Sequence, residues 1–218
     1  ILLSEMMTQI VNVAQTIDHY KSDFQKQESI SVWLQDLRSN AMETFEVVGL
    51  PVKRRGNEKW KYTNISAIAQ TNFEPAQKID VELEAIKNVA PWDDAWTNLV
   101  FVNGFYNSEL SSSLDEAPYI YPLSGFVSSN YQNSDIYDPI GKYIDYSDDG
   151  FAALNTAFLK DAMVVNIPEN FCVKSPINVI FYNTGITGSV NHPRFLMVAN
   201  KDSKVSLIES FVGEGDDV

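Results

Sequence analysis

The chain changes character at residues 49–63, which read GLPVKRRGNEKWKYT. Gly49 and Pro51 predict the end of a helix, because glycine is favoured just past a helix end and proline cannot continue one. Before this stretch, apolar residues recur at spacings of three and four, as they do on the buried face of a helix. Two such faces are separated by a polar turn at which Ser29 could cap the second helix. We therefore predict an antiparallel pair of helices before residue 49. The first face comprises Leu3, Met6, Ile10, Val13, Ile17, Tyr20 and Phe24, and the second comprises Ile30, Trp33, Leu34, Leu37, Ala41, Met42 and Phe45.

Beyond residue 98 the sequence favours short β-strands. Apolar runs rich in β-branched and aromatic residues alternate with breaks at Asn, Gly, Pro and Asp. Periodicity alone does not distinguish a β-sandwich from the stacked coils of a parallel β-helix. We predict an α+β chain with a helical domain and linker over 1–97 and a β-rich domain over 98–218. The predicted strands are 99–102, 119–121, 163–167, 177–182, 195–198 and 205–208, and a helix is predicted over 150–159.

The composition is that of an ordinary globular protein, with 44% hydrophobic and 21% charged residues among 218. The net charge of −13 argues against binding to nucleic acid or to an anionic membrane, since both require a positive field. No apolar stretch approaches the roughly 20 residues that span a bilayer. We therefore expect no nucleic-acid or membrane partner and a cytoplasmic location.

Metal-binding residues are sparse. The chain has one cysteine, Cys172, and two histidines, His19 and His192. One thiol cannot hold an iron–sulfur cluster, which usually needs four protein ligands, and the spacing does not fit a zinc site. We interpret Cys172 as a buried structural thiol and His192 as a turn residue. The sequence predicts no catalytic, cofactor or metal site in this chain.

Residues 49–63 resemble a motif of SufD proteins, scaffold subunits of the SUF iron–sulfur cluster assembly system in the SufB/SufD family. Family members typically read GLP…R…(N/H)E…WKYT, and this form of the motif favours SufD over its paralogue SufB. The resemblance covers the chain from about residue 45 to its end. It continues at residues 101–104, 112–114, 151–158, 165–168, 175–177, 192–194 and 206–210.

The resemblance implies the beginning of a right-handed parallel β-helix behind the helical domain, and hence a mainly β chain. It also implies a non-catalytic role in cluster assembly, together with a SufB-like subunit and a SufC-like ABC ATPase. An iron–sulfur cluster is then expected only in the context of the whole complex. Family members continue past residue 218 to the region that docks the ATPase, so we expect a truncated chain. Its last coil would leave a β-edge unpaired, which favours self-association.

The family motif supplies the candidate site. Its candidate residues are Asn57, Glu58, Trp60, Lys61, Tyr62 and Thr63. One interpretation is a docking surface for a partner or a neighbouring subunit. The other is a structural junction, in which Trp60 and Tyr62 bury their rings against the first helices and Glu58 pairs with a cation or caps a helix. A basic cluster could likewise bind phosphate or an acidic partner, or form a solvated face or pair with acidic residues of the chain. It comprises Lys53, Arg54, Arg55, Lys59 and Lys61.

An enzymatic alternative rests on three aspartates. Asp145, Asp148 and Asp149 could act as paired acids of a β-helical carbohydrate-active enzyme. They also precede Gly150 and a predicted helix, however, where carboxylates are stabilised by the partial positive charge of the helix N-terminus. The sequence therefore favours the helix-start interpretation over the catalytic one.

Overall fold

The computed structural model describes residues 15–27, 32–52, 58–123 and 138–214. By its contacts the chain divides into two compact units. The first, which we call the helical unit, comprises Ile1–Glu74 and Gly141–Phe158. The second, which we call the sheet unit, comprises Pro75–Ile140 and Leu159–Val218. The domain boundary expected after residue 97 stays a prediction.

Short helices and strands alternate along the described residues. The helices are α1 (15–25), α2 (Val32–Val48), α3 (Ser66–Ala69), α4 (Leu83–Lys87) and α5 (Gly150–Ala157), with 3₁₀ turns at Glu58–Trp60 and Asp138–Gly141. The strands are β1 (Glu74–Pro75), β2 (Thr97–Val102), β3 (Phe105–Tyr106), β4 (Ile120–Pro122), β5 (Met163–Ile167), β6 (Ile177–Asn183), β7 (Ser189–Val190), β8 (Phe195–Ala199) and β9 (Leu207–Gly213). None of the helices in these ranges is long and apolar enough to cross a membrane.

The core of the helical unit is built on aromatic side chains from α1, α2 and the end of α5. The Tyr20 ring meets the Phe45 ring edge to face at 5.7 Å and the Phe158 ring at 5.8 Å. All three side chains are buried. Edge-to-face pairs of this kind add to the stabilisation that area burial supplies. Helices α1 and α2 lie where two helices were predicted before residue 49. Ser29 and the predicted face residues Leu3, Met6, Ile10, Val13 and Ile30 lie outside the described residues, and the antiparallel arrangement stays a prediction.

A buried arginine ties α2 to the C-terminal end of α5. Arg38 Nε donates to the carbonyl oxygen of Ala157 at 3.1 Å, and the guanidinium also donates to Gln27. Its carbon Cζ lies 5.8 Å from the centre of the Phe24 ring. The last carbonyls of a helix lack partners within the helix, so this bond satisfies one of them. Burial lowers the pKa of Arg38 from its ordinary value.

Gly49 and Gly150 allow the C-terminal end of α2 to lie against the first residue of α5. Gly49 follows α2 with a φ of 63°, and its N–H donates to Phe45 O at 2.8 Å, which is the helix end predicted from the sequence. Gly150 begins α5 against this turn, and a Cβ built on Gly150 would overlap the carbonyl oxygen of Gly49. A residue with any side chain at position 150 therefore cannot fit without a backbone shift.

The sheet unit contains two larger sheets around one core. Strands β2, β6 and β9 pair in parallel, with β3 antiparallel at the edge, in the order β3-β2-β6-β9. The second sheet has the order β4-β5-β8, in which β4 is antiparallel and β8 parallel to β5. Both sheets contribute to the core cluster, and its buried strand residues include Leu99, Phe101, Met163, Val165, Ile167, Ile177, Val179 and Phe181.

Matching residues set the register of the parallel strands. Asn98 lies opposite Asn178, whose Nδ2 donates to Asn98 Oδ1 at 2.8 Å and to Pro91 O at 2.9 Å. Both amides are buried, so a shifted register would leave them without these bonds. On the opposite face, the Phe181 ring lies 5.1 Å from that of Phe101 and 4.8 Å from that of Phe211.

The predicted parallel β-helix is wrong for this structure. The described residues form a mixed α+β fold with five helices and several small sheets, and the chain is not mainly β. Antiparallel strands β3 and β4 end the two larger sheets, and β3 follows a tight turn at Asn103-Gly104. The β-helix came from the family resemblance, because the apolar runs themselves did not distinguish between arrangements of short strands. The α+β class is confirmed.

The six predicted strands are present, five of them with altered ends and the strand at Met163–Ile167 as predicted. The largest change is in the last strand, predicted at 205–208 and observed at Leu207–Gly213. The two-residue strands β1, β3 and β7 were not predicted, since two residues carry no periodic signal. No strand in the described ranges pairs with the outer edge of β9. Self-association through such an edge stays a prediction.

Replacing Gly150 with alanine tests the contact between α2 and α5. We expect Gly150→Ala to lower the free energy of unfolding by about 2–3 kcal/mol, because the new methyl group forces backbone apart in a packed site. Gly188→Ala is the control: its Cβ would meet open space, and only its φ of 77° opposes a side chain. That variant should lose about 1 kcal/mol. Urea unfolding measures both, and an equal loss in the two variants would contradict the proposed contact.

The buried carboxylate of Asp161 predicts a pH dependence. It is 6% exposed and accepts from the N–H groups of Tyr106 and Ala162, each at 2.9 Å. Loss of hydration raises its pKa, against the opposing effect of these hydrogen bonds and of Lys78. A carboxyl group with a raised pKa binds its proton more tightly when folded. Protonated Asp161 therefore stabilises the folded chain fully below its unfolded pKa of about 3.9. This stabilisation is lost as the pH rises through the folded pKa.

Urea unfolding of the native chain and Asp161→Asn at several pH values measures this effect. The native chain should lose stability relative to the variant as the pH rises from about 4, until Asp161 is ionised in the folded state. A constant difference between the two proteins across this range would contradict the raised pKa.

Candidate functional site

The family motif occupies one corner of the helical unit. Glu58–Trp60 forms a single 3₁₀ turn, and Thr63 N–H donates to Trp60 O at 3.1 Å to close the next turn. Glu58, Lys61, Tyr62 and Thr63 are exposed. Asn57 lies outside the described residues. The motif therefore combines one packed residue, Trp60, with a largely exposed face.

Trp60 attaches this corner to the core. Its ring lies 5.1 Å from the ring of Phe151, with an interplanar angle of 40°, and it packs against the helical core cluster. Phe151 is the second residue of α5 and follows Gly150 directly. Trp60 is thus partly buried, as the structural interpretation expected, but its ring contact is with α5; the structural or docking role of the motif stays a prediction. The sequence did not identify Phe151 as its partner, because the 90 intervening positions carry no local pattern that joins the two.

Tyr62 is not buried as the structural interpretation expected. Its side chain is 90% exposed, and Lys61 Nζ lies 5.5 Å from the centre of its ring. A 3₁₀ turn has three residues per turn, so positions two apart project to different sides. With Trp60 turned towards the core, Tyr62 faces solvent. An exposed large aromatic ring of this kind is a common feature of protein interfaces.

Ion pairs hold the charged residues of the motif. Lys61 Nζ lies 3.5 Å from Glu58 Oε2, and Lys59 Nζ lies 3.3 Å from Asp148 Oδ1. All four side chains are substantially exposed, so each pair contributes at most about 1 kcal/mol. Pairing within the chain is confirmed for Lys59 and Lys61. The remaining members of the basic cluster, Lys53, Arg54 and Arg55, lie outside the described residues.

The three aspartates of the enzymatic alternative each support local structure. Asp149 is the N-cap of α5, and its Oδ1 accepts from the N–H groups of Phe151 at 3.0 Å and Ala152 at 3.2 Å. Asp148 pairs with Lys59, as above. Asp145 Oδ1 accepts from Ser147 N at 2.9 Å, and the hydrogen bonds from Ser147 lower its pKa, with a smaller effect of Lys59. The helix-start interpretation is confirmed for Asp149.

The described cysteine and histidines do not form a site. Cys172 is exposed, so its interpretation as a buried thiol is wrong. Cys172 forms an isolated β-bridge with Lys204 outside the named strands, and neighbouring residues leave it exposed. His19 Nε2 is 2.8 Å from Phe73 O in the helical unit. The described ranges contain no group of three or more potential metal ligands.

Comparison with known proteins identifies the family. Residues 12–179 match a family model described as the SufBD protein N-terminal region. The chain belongs to the SufBD family. The match includes the 49–63 stretch and α5, and so it covers both elements that form the Trp60–Phe151 contact.

Curated relatives of this SufBD family member come from bacteria and a plant. An iron–sulfur cluster assembly SufBD family protein of Synechocystis sp. is 29% identical over 215 residues, covering 96% of this chain and 47% of the relative. Protein ABCI7, chloroplastic, of Arabidopsis thaliana is 24% identical and covers 94% and 43% respectively. The iron–sulfur cluster assembly protein SufD of Bacillus subtilis is 20% identical and covers 88% and 44%. The chain thus spans less than half the length of these SufBD relatives.

Two substitutions distinguish the packed and exposed residues of the motif in this SufBD chain. Trp60→Ala should lower the free energy of unfolding by about 2 kcal/mol, because it removes a partly buried ring from the contact with Phe151. Tyr62→Ala, the matched control, should change stability by less than about 0.5 kcal/mol, since its ring contacts mainly solvent. Urea unfolding measures both. A large loss in Tyr62→Ala would contradict the exposed position of the ring.

Proposed function

We propose that this chain is a non-catalytic scaffold component of iron–sulfur cluster assembly. The match of residues 12–179 to the SufBD N-terminal region carries this proposal. The relatives from Synechocystis and Bacillus subtilis support it, since both are named as iron–sulfur cluster assembly proteins. A scaffold acts by holding other molecules in position, so its chemistry resides in surfaces rather than in a catalytic centre.

The proposed partners are a SufB-like subunit and a SufC-like ABC ATPase. The cluster is cargo of the assembled complex in this proposal, and no residue of this chain is assigned to it. The cytoplasmic location expected from the sequence stays a prediction, and one plant relative is named as chloroplastic.

The local roles of the three aspartates favour the scaffold over a glycan-cleaving enzyme. An inverting or retaining glycosidase needs two carboxyl groups that face a common substrate. Here Asp149 caps α5, and Asp148 pairs with Lys59. Neither arrangement places two carboxyl groups around a shared cleft in the described residues. We therefore do not assign catalysis to this cluster.

Affinity capture from the source cell tests the scaffold role. A tag at the start of the native gene allows recovery of the product and identification of bound proteins by peptide mass spectrometry, with the untagged strain as the control. We expect a SufB-like protein and an ABC-type ATPase to be recovered with the tagged product. Recovery of the tagged product alone, at native expression, would contradict the scaffold proposal.

Within this scaffold we propose that the exposed face of the motif contributes to subunit docking. The observation that favours this role is the 90% exposure of Tyr62 beside an anchored Trp60. Trp60 fixes the turn through its contact with Phe151, and this positions Lys61 and Tyr62 before a partner arrives. Pre-positioned aromatic side chains lose little conformational freedom on binding, which favours affinity. The SufB-like subunit is the proposed partner of this face.

Substitution of Tyr62 in the tagged native gene tests this docking role. Tyr62→Ala should reduce recovery of the SufB-like subunit about tenfold or more, as expected for an aromatic residue central to an interface. Ile68→Ala is the matched control, because it removes an exposed apolar side chain from α3 outside the motif. Equal recovery from the two variants would contradict docking through Tyr62. It would leave the scaffold role itself intact, because the unmodified product would still recover its partners.

A further inference from the structure

We draw no further inference here: the strongest candidate, the outer edge of β9 with the exposed side chains of Leu207 and Phe211, is an unpartnered apolar face, and nothing in the described part of the chain shows what covers it.

Discussion

The close approach of Gly150 to the carbonyl oxygen of Gly49 is the constraint on which the helical unit depends. Because position 150 has no side chain, the start of α5 can lie directly against the turn that ends α2. Arg38 holds the other end of α5 through the Ala157 carbonyl. Between these two points α5 presents Leu154 and the adjoining Phe158 to the core that Tyr20 and Phe45 share. One backbone–backbone contact and one side-chain hydrogen bond to the backbone thus fix a helix of only eight residues, which would be marginal in isolation.

This placement of α5 determines the geometry of the family motif. Phe151 follows Gly150, and its ring packs against the ring of Trp60. Asp149 caps the same helix, and Asp148 reaches Lys59 of the motif. A single segment before and within α5 therefore positions the motif through packing, capping and an ion pair. The packing contact is the strongest of these, since an exposed ion pair contributes at most about 1 kcal/mol.

Local signals in the sequence predicted much of this structure. Helix α2 ends at the predicted glycine, since a glycine with positive φ and a proline two residues later do not continue a helix. The central strands β5 and β6 were found because fully buried strands read as continuous apolar runs. Strand ends were less accurate, and β9 extends to Gly213 because pairing with β6 orders residues that carry only a weak pattern.

The features that sequence reasoning missed depend on contacts between distant parts of the chain. Nothing near Trp60 indicates that Phe151 is its partner. The burial expected for Tyr62 assumed that both aromatic rings of the motif share a side, which the 3₁₀ turn does not allow. The expected β-helix was a global arrangement inferred from family resemblance, whereas the residues themselves specified only separate short strands. Strand β3 pairs with β2 across the tight turn at Asn103-Gly104, whereas β4 pairs with β5 across a long separation in sequence that no local signal indicates.

The distribution of charge and aromatic residues at the motif bears on the kind of function it can perform. Each carboxylate of the suspected catalytic group is engaged by a backbone N–H group or by a lysine, so its position is explained by folding alone. The tyrosine, by contrast, contributes little to the folded chain, because most of its surface remains in water. A large aromatic ring held in solvent beside a partly buried anchor gains stabilisation only when another surface covers it. The physical chemistry of this corner therefore supports the docking role proposed for Tyr62.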